Sequence, residues 1–378
     1  MSKLRWHLGH LDSLRGIAVL GVVLVHSYWR PDGVLHVPRL MGDVAMSGQR
    51  GVALFFLVSA FTLFLSNDNR KDEARPTINF FIRRFFRLSP MLYVCLCFTY
   101  VFYPAWFGPL RYGLLAAFYL NGFHPIAITS GAPGGWSVAV EAMFYFCLPL
   151  LFARIKSLKT SLIWLFIGTP LAYEGSRILS EHFPQHAQYF QFFSFTVEYP
   201  IFLLGITGYF IWKEVMPSIV GQKQLSIMLL GMAAMFYRSL LPFTNVTLYQ
   251  TSLVCLMLLL ALSLYPWKIL VNTVTRFLGR ISYSIYLLHG FVIYYLHRFA
   301  DRAELRPWTH LAFCFCGTVL IVTPLSYATW RWIEEPGIRL GRSVIARLEG
   351  RNAPRKDTEL FPSGLSATAE GNSPDAQF

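Results

Sequence analysis

The stretch LRGIAVLGVVLVHSY, residues 14–28, is apolar except for an arginine near its start and a histidine near its end. Arg15 and His26 are eleven residues apart. At ~100° per residue that separation closes to within about 20° of a whole number of turns, so both side chains leave one face of a helix. An ionisable group is costly to bury in lipid, and such a pair must look into protein or water. It reads as a candidate functional site, or equally as a boundary arginine followed by a hydrogen-bonded interior histidine.

The rest of the chain has the same character. Of 378 residues, 54% are hydrophobic, 16% aromatic and only 14% charged, a balance too apolar for a soluble domain of this size. The expected fold class is an all-α polytopic membrane bundle. About ten apolar segments approach the ~20 residues that cross a bilayer core: 14–29, 50–66, 88–107, 136–153, 161–179, 191–211, 224–242, 247–266, 281–299 and 308–330. The first run lacks a small-residue cleavage site, so it is expected to remain as a span rather than a signal peptide.

Most of the 33 Lys and Arg residues then fall on the side that holds the N-terminus, and the positive-inside rule predicts both termini in the cytoplasm. Topology and anionic lipid account for the net charge of +13, and no nucleic-acid partner is expected. The six cysteines, Cys95, Cys97, Cys147, Cys255, Cys314 and Cys316, all lie in expected spans without evident metal-site company, and they read as packing residues; no metal site is expected.

Residues 1–342 form the expected membrane domain, and 343–378 a polar cytoplasmic tail that is expected to be disordered. Residues 67–82 read as a charged loop leading into Arg83, Arg84 and Arg87. The long connection 108–135 reads as an outer loop with an interfacial or re-entrant helix that roofs a cavity. No internal repeat is evident, which disfavours an inverted-repeat transporter.

Depth estimates at ~1.5 Å per residue bring a few polar residues to comparable levels. His26 stands roughly 16 Å above Arg15, Glu141 about 7 Å below Trp136, and His289 roughly 12 Å above Ile281. His26, Glu141 and His289 are thus candidates to line one cavity. Tyr145 lies one turn from Glu141, and Ser282, Tyr286 and His289 form a stripe on the ninth span. A histidine beside a carboxylate suits proton transfer from a hydroxyl near neutral pH; mutual hydrogen bonding is the structural alternative. Arg83, Arg84 and Arg87 are helical neighbours. Their planar guanidinium groups suit a polyphosphorylated donor such as coenzyme A, with lipid headgroups the alternative partner.

Six motifs occur in order: LDSLRGIAVLGVVLVHSYW (11–29), GVALFFLVSAFTLFLS (51–66), RRFFRLSPMLY (83–93), GGWSVAVEAMFYF (134–146), ISYSIYLLH (281–289) and WRWIEEPGIRL (330–340). The series resembles that of the membrane-bound acyltransferase family 3 and covers about residues 8–342. The resemblance implies transfer of an acyl group, most often acetyl, from cytoplasmic acyl-CoA as co-substrate to a hydroxyl of a cell-surface, lipid-linked or secreted saccharide at a bacterial inner membrane. It implies a catalytic role for Arg15 and His26, donor binding by Arg83, Arg84 and Arg87, and site roles for Trp136, Ser137 and Glu141 and for Tyr283, Ser284 and His289. Many members carry Asp where this chain has Ala53, and Ser-Gly-Phe where it has Ser59, Ala60 and Phe61. The usual Glu-Glu-Gln becomes Glu141, Ala142 and Met143. His36, in the outer loop, belongs to no motif.

The expected mechanism has the arginines hold the CoA phosphates while His26 acts as general base, or carries the acyl group transiently. Glu141 would orient a histidine or the acceptor, and Arg15 would steady the donor or the fold. Acyl-CoA, a saccharide and membrane lipid are the expected partners, no cofactor is expected to be permanently bound, and homo-oligomerisation is left open. A macrolide or peptide acceptor is the alternative within enzymes. A proton-coupled transporter using the same buried charges is the alternative outside them.

Overall fold

In the computed structural model, residues 9–30, 33–239 and 247–350 are described. They form an all-α bundle. In chain order the helices are α1 (Gly9–Tyr28), α2 (Arg39–Ser47), α3 (Gly51–Asp68), α4 (Pro76–Phe102), α5 (Pro104–Phe107), α6 (Leu110–Ala117), α7 (Gly135–Arg154), α8 (Leu158–His182), α9 (Ala187–Phe193), α10 (Phe195–Glu214), α11 (Lys223–Ser239), α12 (Thr247–Leu264), α13 (Thr273–Arg280), α14 (Ser282–Arg302), α15 (Pro307–Thr329) and α16 (Glu335–Leu348). The sheet among the described residues is a two-strand ribbon, Trp29–Arg30 against Gly33–Val34.

The ten expected apolar segments fall on helices, with 88–107 divided between α4 and α5 and 191–211 between α9 and α10, and among the described residues 6 helical stretches are long and apolar enough to cross a membrane. Boundaries differ where local chemistry overrides the apolar pattern. The third span was expected over 88–107 after a loop at 67–82, yet α4 begins at Pro76 and ends at Phe102. Proline suits the first helical turn, where its missing N–H is not needed. At the far end Tyr103 precedes Pro104 and leaves helical geometry, with φ −138° and ψ 57°, because proline crowds the residue before it out of the α region. The connection 108–135 contains α6 and two short 3₁₀ turns, Asn121–Phe123 and Ala127–Thr129. The segment expected over 224–242 is helical to Ser239, and its end lies outside the described residues, as does 351–378 of the expected tail.

Lipid offers helices little hydrophobic incentive to associate, so close approach and shape complementarity hold such a bundle together. α1 packs against α3, α13 and α14, and α3 in turn against α10. At the α1–α13 crossing a Cβ on Gly279 would stand 1.8 Å from the Asp12 carbonyl oxygen, so only glycine permits that approach. Thr275 donates to the Ser13 hydroxyl across the same contact at 3.0 Å. Between α7 and α10 the Phe144 and Phe202 rings stack at 4.0 Å. Large apolar side chains such as Phe166, Leu171, Met235 and Leu320 point outward, as a lipid-facing belt requires.

Candidate active site

α1 carries Asp12 and Arg15 near one end and His26 near the other, and each end gathers its own set of polar partners. At the histidine end, His26 Nδ1 lies 2.8 Å from the Val22 carbonyl. A carbonyl only accepts, so Nδ1 carries the proton and Nε2 keeps its lone pair. His289 on α14 repeats the arrangement, with Nδ1 2.7 Å from the Tyr286 carbonyl. The two rings meet edge to face, 4.9 Å between centroids. Two of the three residues expected at one cavity, His26 and His289, thus stand in ring contact, half-buried on the α1 side and buried on the α14 side.

Tyr286 links this pair to α7. Its hydroxyl lies 2.9 Å from that of Ser137, which also approaches the Gly134 carbonyl at 3.0 Å. Gly134 precedes α7 with φ +71°, and a Cβ there would come within 2.6 Å of the Tyr286 ring. Glycine is thus required twice, for the left-handed backbone and for the space the ring occupies. Trp136, one residue before Ser137, packs its ring against Phe56 and Phe193 at 6.4 and 4.8 Å.

At the arginine end, Arg15 donates to Asp12 and to Thr62 on α3, both at 3.0 Å. Glu141 accepts a 2.5 Å hydrogen bond from Ser59. The Tyr145 hydroxyl reaches toward both Glu141 and Arg84. Arg84 lies over the rings of Phe80 and Tyr145 at 5.7 and 5.8 Å, and its buried Nε has no hydrogen-bond partner among the described residues. Sequence spacing suggested one cavity shared by His26, Glu141 and His289. The structure joins the two histidines, while Glu141 hydrogen-bonds within the arginine end.

Arg83, Arg84 and Arg87 do not form one outward cluster. Arg83 is gripped by both carboxylate oxygens of Glu73 at 3.0 Å, and Arg70 joins them at 3.1 Å. Arg87 brings its charge near Asp12 and Glu334 instead. Burial pushes the Glu73 carboxyl up, but hydrogen bonds from Asn79 and Arg83 and the Arg83 charge outweigh it and hold the group below its usual range. A narrow cleft opens here, lined by Ser66, Asn67, Arg70, Arg83 and Arg84 among others.

Other expected residues fall into structural contacts. Ser282 donates to the Gly279 carbonyl at 2.9 Å, closing the turn between α13 and α14. Tyr283 donates to the Leu88 carbonyl at 2.8 Å. Ser284 pairs with Glu334 and accepts from Thr329. His36 is exposed in the loop after the ribbon.

Sequence reading missed three groups. Glu334 is buried in a π-helical turn, Trp330–Glu334; it stood inside a quoted motif, but nothing in its spacing announced Ser284 as partner. Glu198 on α10 is 4% exposed, its Oε2 without a hydrogen-bond partner among the described residues, and it feels the charge of Arg50. Cys314, read as a packing residue without company, stands with His297 and His310. The i, i+4 spacing of His310 and Cys314 was the available signal for that cluster.

The profile of a family described as an acyltransferase domain matches residues 8–327. Among curated proteins, the O-acetyltransferase OatA of Staphylococcus aureus is 24% identical over 384 residues, covering 90% of this chain and 59% of that protein. Nodulation protein 10 of Rhizobium leguminosarum bv. viciae is 25% identical over 375 residues, covering 90% and 96%. The peptidoglycan O-acetyltransferase OatA of Listeria monocytogenes is 28% identical over 163 residues, covering 38% of this chain and 24% of its own length. The chain thus spans about three fifths of the first of these relatives. No solved structure matches it.

Proposed function

The chain belongs to the acyltransferase-domain family, and we propose that it is a membrane O-acyltransferase that moves an acetyl group from cytoplasmic acetyl-CoA to a hydroxyl of a cell-surface, lipid-linked or secreted saccharide at a bacterial inner membrane. The O-acetyltransferase names of the OatA relatives support the acetyl group and the oxygen acceptor. The observation that carries the chemistry is the His26 tautomer. With Nδ1 committed to the Val22 carbonyl, Nε2 is left as the basic nitrogen.

In this reading Nε2 of His26 takes the proton of the acceptor hydroxyl while its oxygen attacks the thioester carbonyl. The carbon–sulfur bond breaks, coenzyme A leaves as the thiol after taking up that proton, and the ester remains on the acceptor. His289 and Tyr286 hold the imidazole and shape the acceptor side. The donor phosphates meet Arg83 and Arg84 at the narrow cleft they line, where the guanidinium fork suits phosphate oxygens. Glu141, hydrogen-bonded to Ser59, then serves the donor side rather than orienting His26, and Arg15 with Asp12 steadies α1 between the two.

Purified protein with labelled acetyl-CoA and a panel of saccharides tests the reading without any ion gradient. Labelled saccharide ester is the expected product. Solute movement in sealed vesicles with an unmodified acceptor would instead indicate a transporter.

A further inference from the structure

The cluster on α14 and α15 takes no part in the chemistry above. His297 Nδ1 lies 2.8 Å from His310 Nε2 and 3.6 Å from Cys314 Sγ. All three residues are buried, and the three ligand atoms lie within 4.8 Å of one another. We propose that His297, His310 and Cys314 bind a borderline-soft divalent cation of the zinc type, beside the turn of α1 that carries His26.

The nitrogens that face away from the cluster carry the argument. His297 Nε2 lies 3.1 Å from the His26 carbonyl, which only accepts, so Nε2 bears the proton. His310 Nδ1 lies 3.7 Å from Asp301 Oδ1, within ion-pair range but too long for a hydrogen bond. His297 Nδ1 therefore presents its lone pair to the cluster, 2.8 Å from His310 Nε2, and a cation there would take both nitrogens in place of the proton they otherwise share. Ligating histidines usually donate their outer N–H to a carbonyl or a carboxylate, as His297 does to His26.

The donor set also fits in kind and spacing. Imidazole and thiolate are zinc ligands, with bonds of about 2.0–2.1 Å to nitrogen and about 2.3 Å to sulfur. Tetrahedral angles then separate nitrogen from sulfur by about 3.5 Å and two nitrogens by about 3.3 Å. The first matches the observed 3.6 Å between His297 and Cys314, the second asks the imidazoles to part slightly from 2.8 Å, and the His310–Cys314 pair, within 4.8 Å, must close onto the ion. Asp301, whose side chain is 41% exposed and also paired with Arg30 at 3.1 Å, marks the route of entry. The bound ion would pin the last turn of α1, through the His26 carbonyl, to α14 and α15.

The test uses the full chain in detergent, stripped with a chelator and titrated with Co²⁺ as the probe. One equivalent is expected, with the absorption of a tetrahedral site and a thiolate-to-cobalt charge-transfer band. Cys314→Ser, which keeps the volume, should lose that band, His310→Ala should lose stoichiometric binding, and Cys316→Ser on the exposed face of α15 should change neither. Failure of the native chain to bind one equivalent would overturn the site and leave a shared proton between the imidazoles. Binding without a thiolate band, or an unchanged spectrum in both Cys314→Ser and His310→Ala, would overturn it equally. None of these readouts depends on acyl transfer.

Discussion

The imidazoles of His26 and His289, from helices far apart in sequence, meet at 4.9 Å with each Nδ1 tied to a carbonyl of its own helix. Both rings are thereby fixed in orientation and in tautomer, and both keep Nε2 for chemistry. Replacing His289 with Asn should leave the protein folded but let the His26 ring reorient. Turnover should fall on the order of 10-fold or more, with donor KM little changed, because a misaligned base loses rate before it loses binding. Steady-state kinetics with the donor varied would check this, and unchanged turnover would remove His289 from the site.

Gly279→Ala should destabilise the bundle by about 2–4 kcal/mol, since the added methyl meets backbone that cannot rotate aside. The Cβ would stand 1.8 Å from the Asp12 carbonyl oxygen, forcing α1 and α13 apart. The thermal midpoint in detergent reads the loss; an unchanged midpoint would contradict the crossing described here.

Tyr286→Phe removes one hydroxyl from a buried pair with Ser137 and should cost about 1 kcal/mol. Gly134→Ala adds both left-handed strain and a clash with the same ring, a further cost of about 1–3 kcal/mol beyond an ordinary surface change. Unfolding midpoints of the two variants should therefore rank Gly134→Ala below Tyr286→Phe.

Glu73 sets a pH dependence. Its carboxyl is held below the usual range in the folded protein, so the unfolded chain binds the proton more readily, and the ionised Glu73 stabilises the fold above the ordinary glutamate value of about 4.3. That stabilisation is lost as pH falls through the depressed folded value. The native chain should exceed Glu73→Gln in thermal midpoint at pH 7, and the gap should close in acid. A gap that persists at a pH below both values would show that Glu73 acts through packing rather than charge.

Arg84→Ala should raise the donor KM by roughly 10-fold or more, the scale of one charge-assisted contact, while acceptor KM stays near the native value. Its guanidinium lies over Phe80 and Tyr145 with Nε unpaired, in contrast to Arg83, already engaged by Glu73. The Arg84 effect should therefore be the larger of the two. Equal donor KM in native and Arg84→Ala protein would exclude it from the donor site.

Apolar length made the helices legible in the sequence, and helical angle put Arg15 and His26 on one element. What the pattern could not give was contact between elements. The start of α4 at Pro76 was hidden because its first turns are amphipathic rather than apolar. The Ser59 partner of Glu141 was hidden because a depth estimate fixes level along a helix but not its rotation toward a neighbour. Likewise Ser284, the partner of Glu334, and His297, one partner of Cys314, come from other helices. No periodicity within one segment records them.

The most direct test is the turnover of purified His26→Ala protein with labelled acetyl-CoA and a saccharide that the native protein esterifies. The account predicts a fall of about 10²–10⁴-fold, the usual worth of a positioned base, with protein level and thermal midpoint near the native values. Turnover close to native in that variant would contradict it.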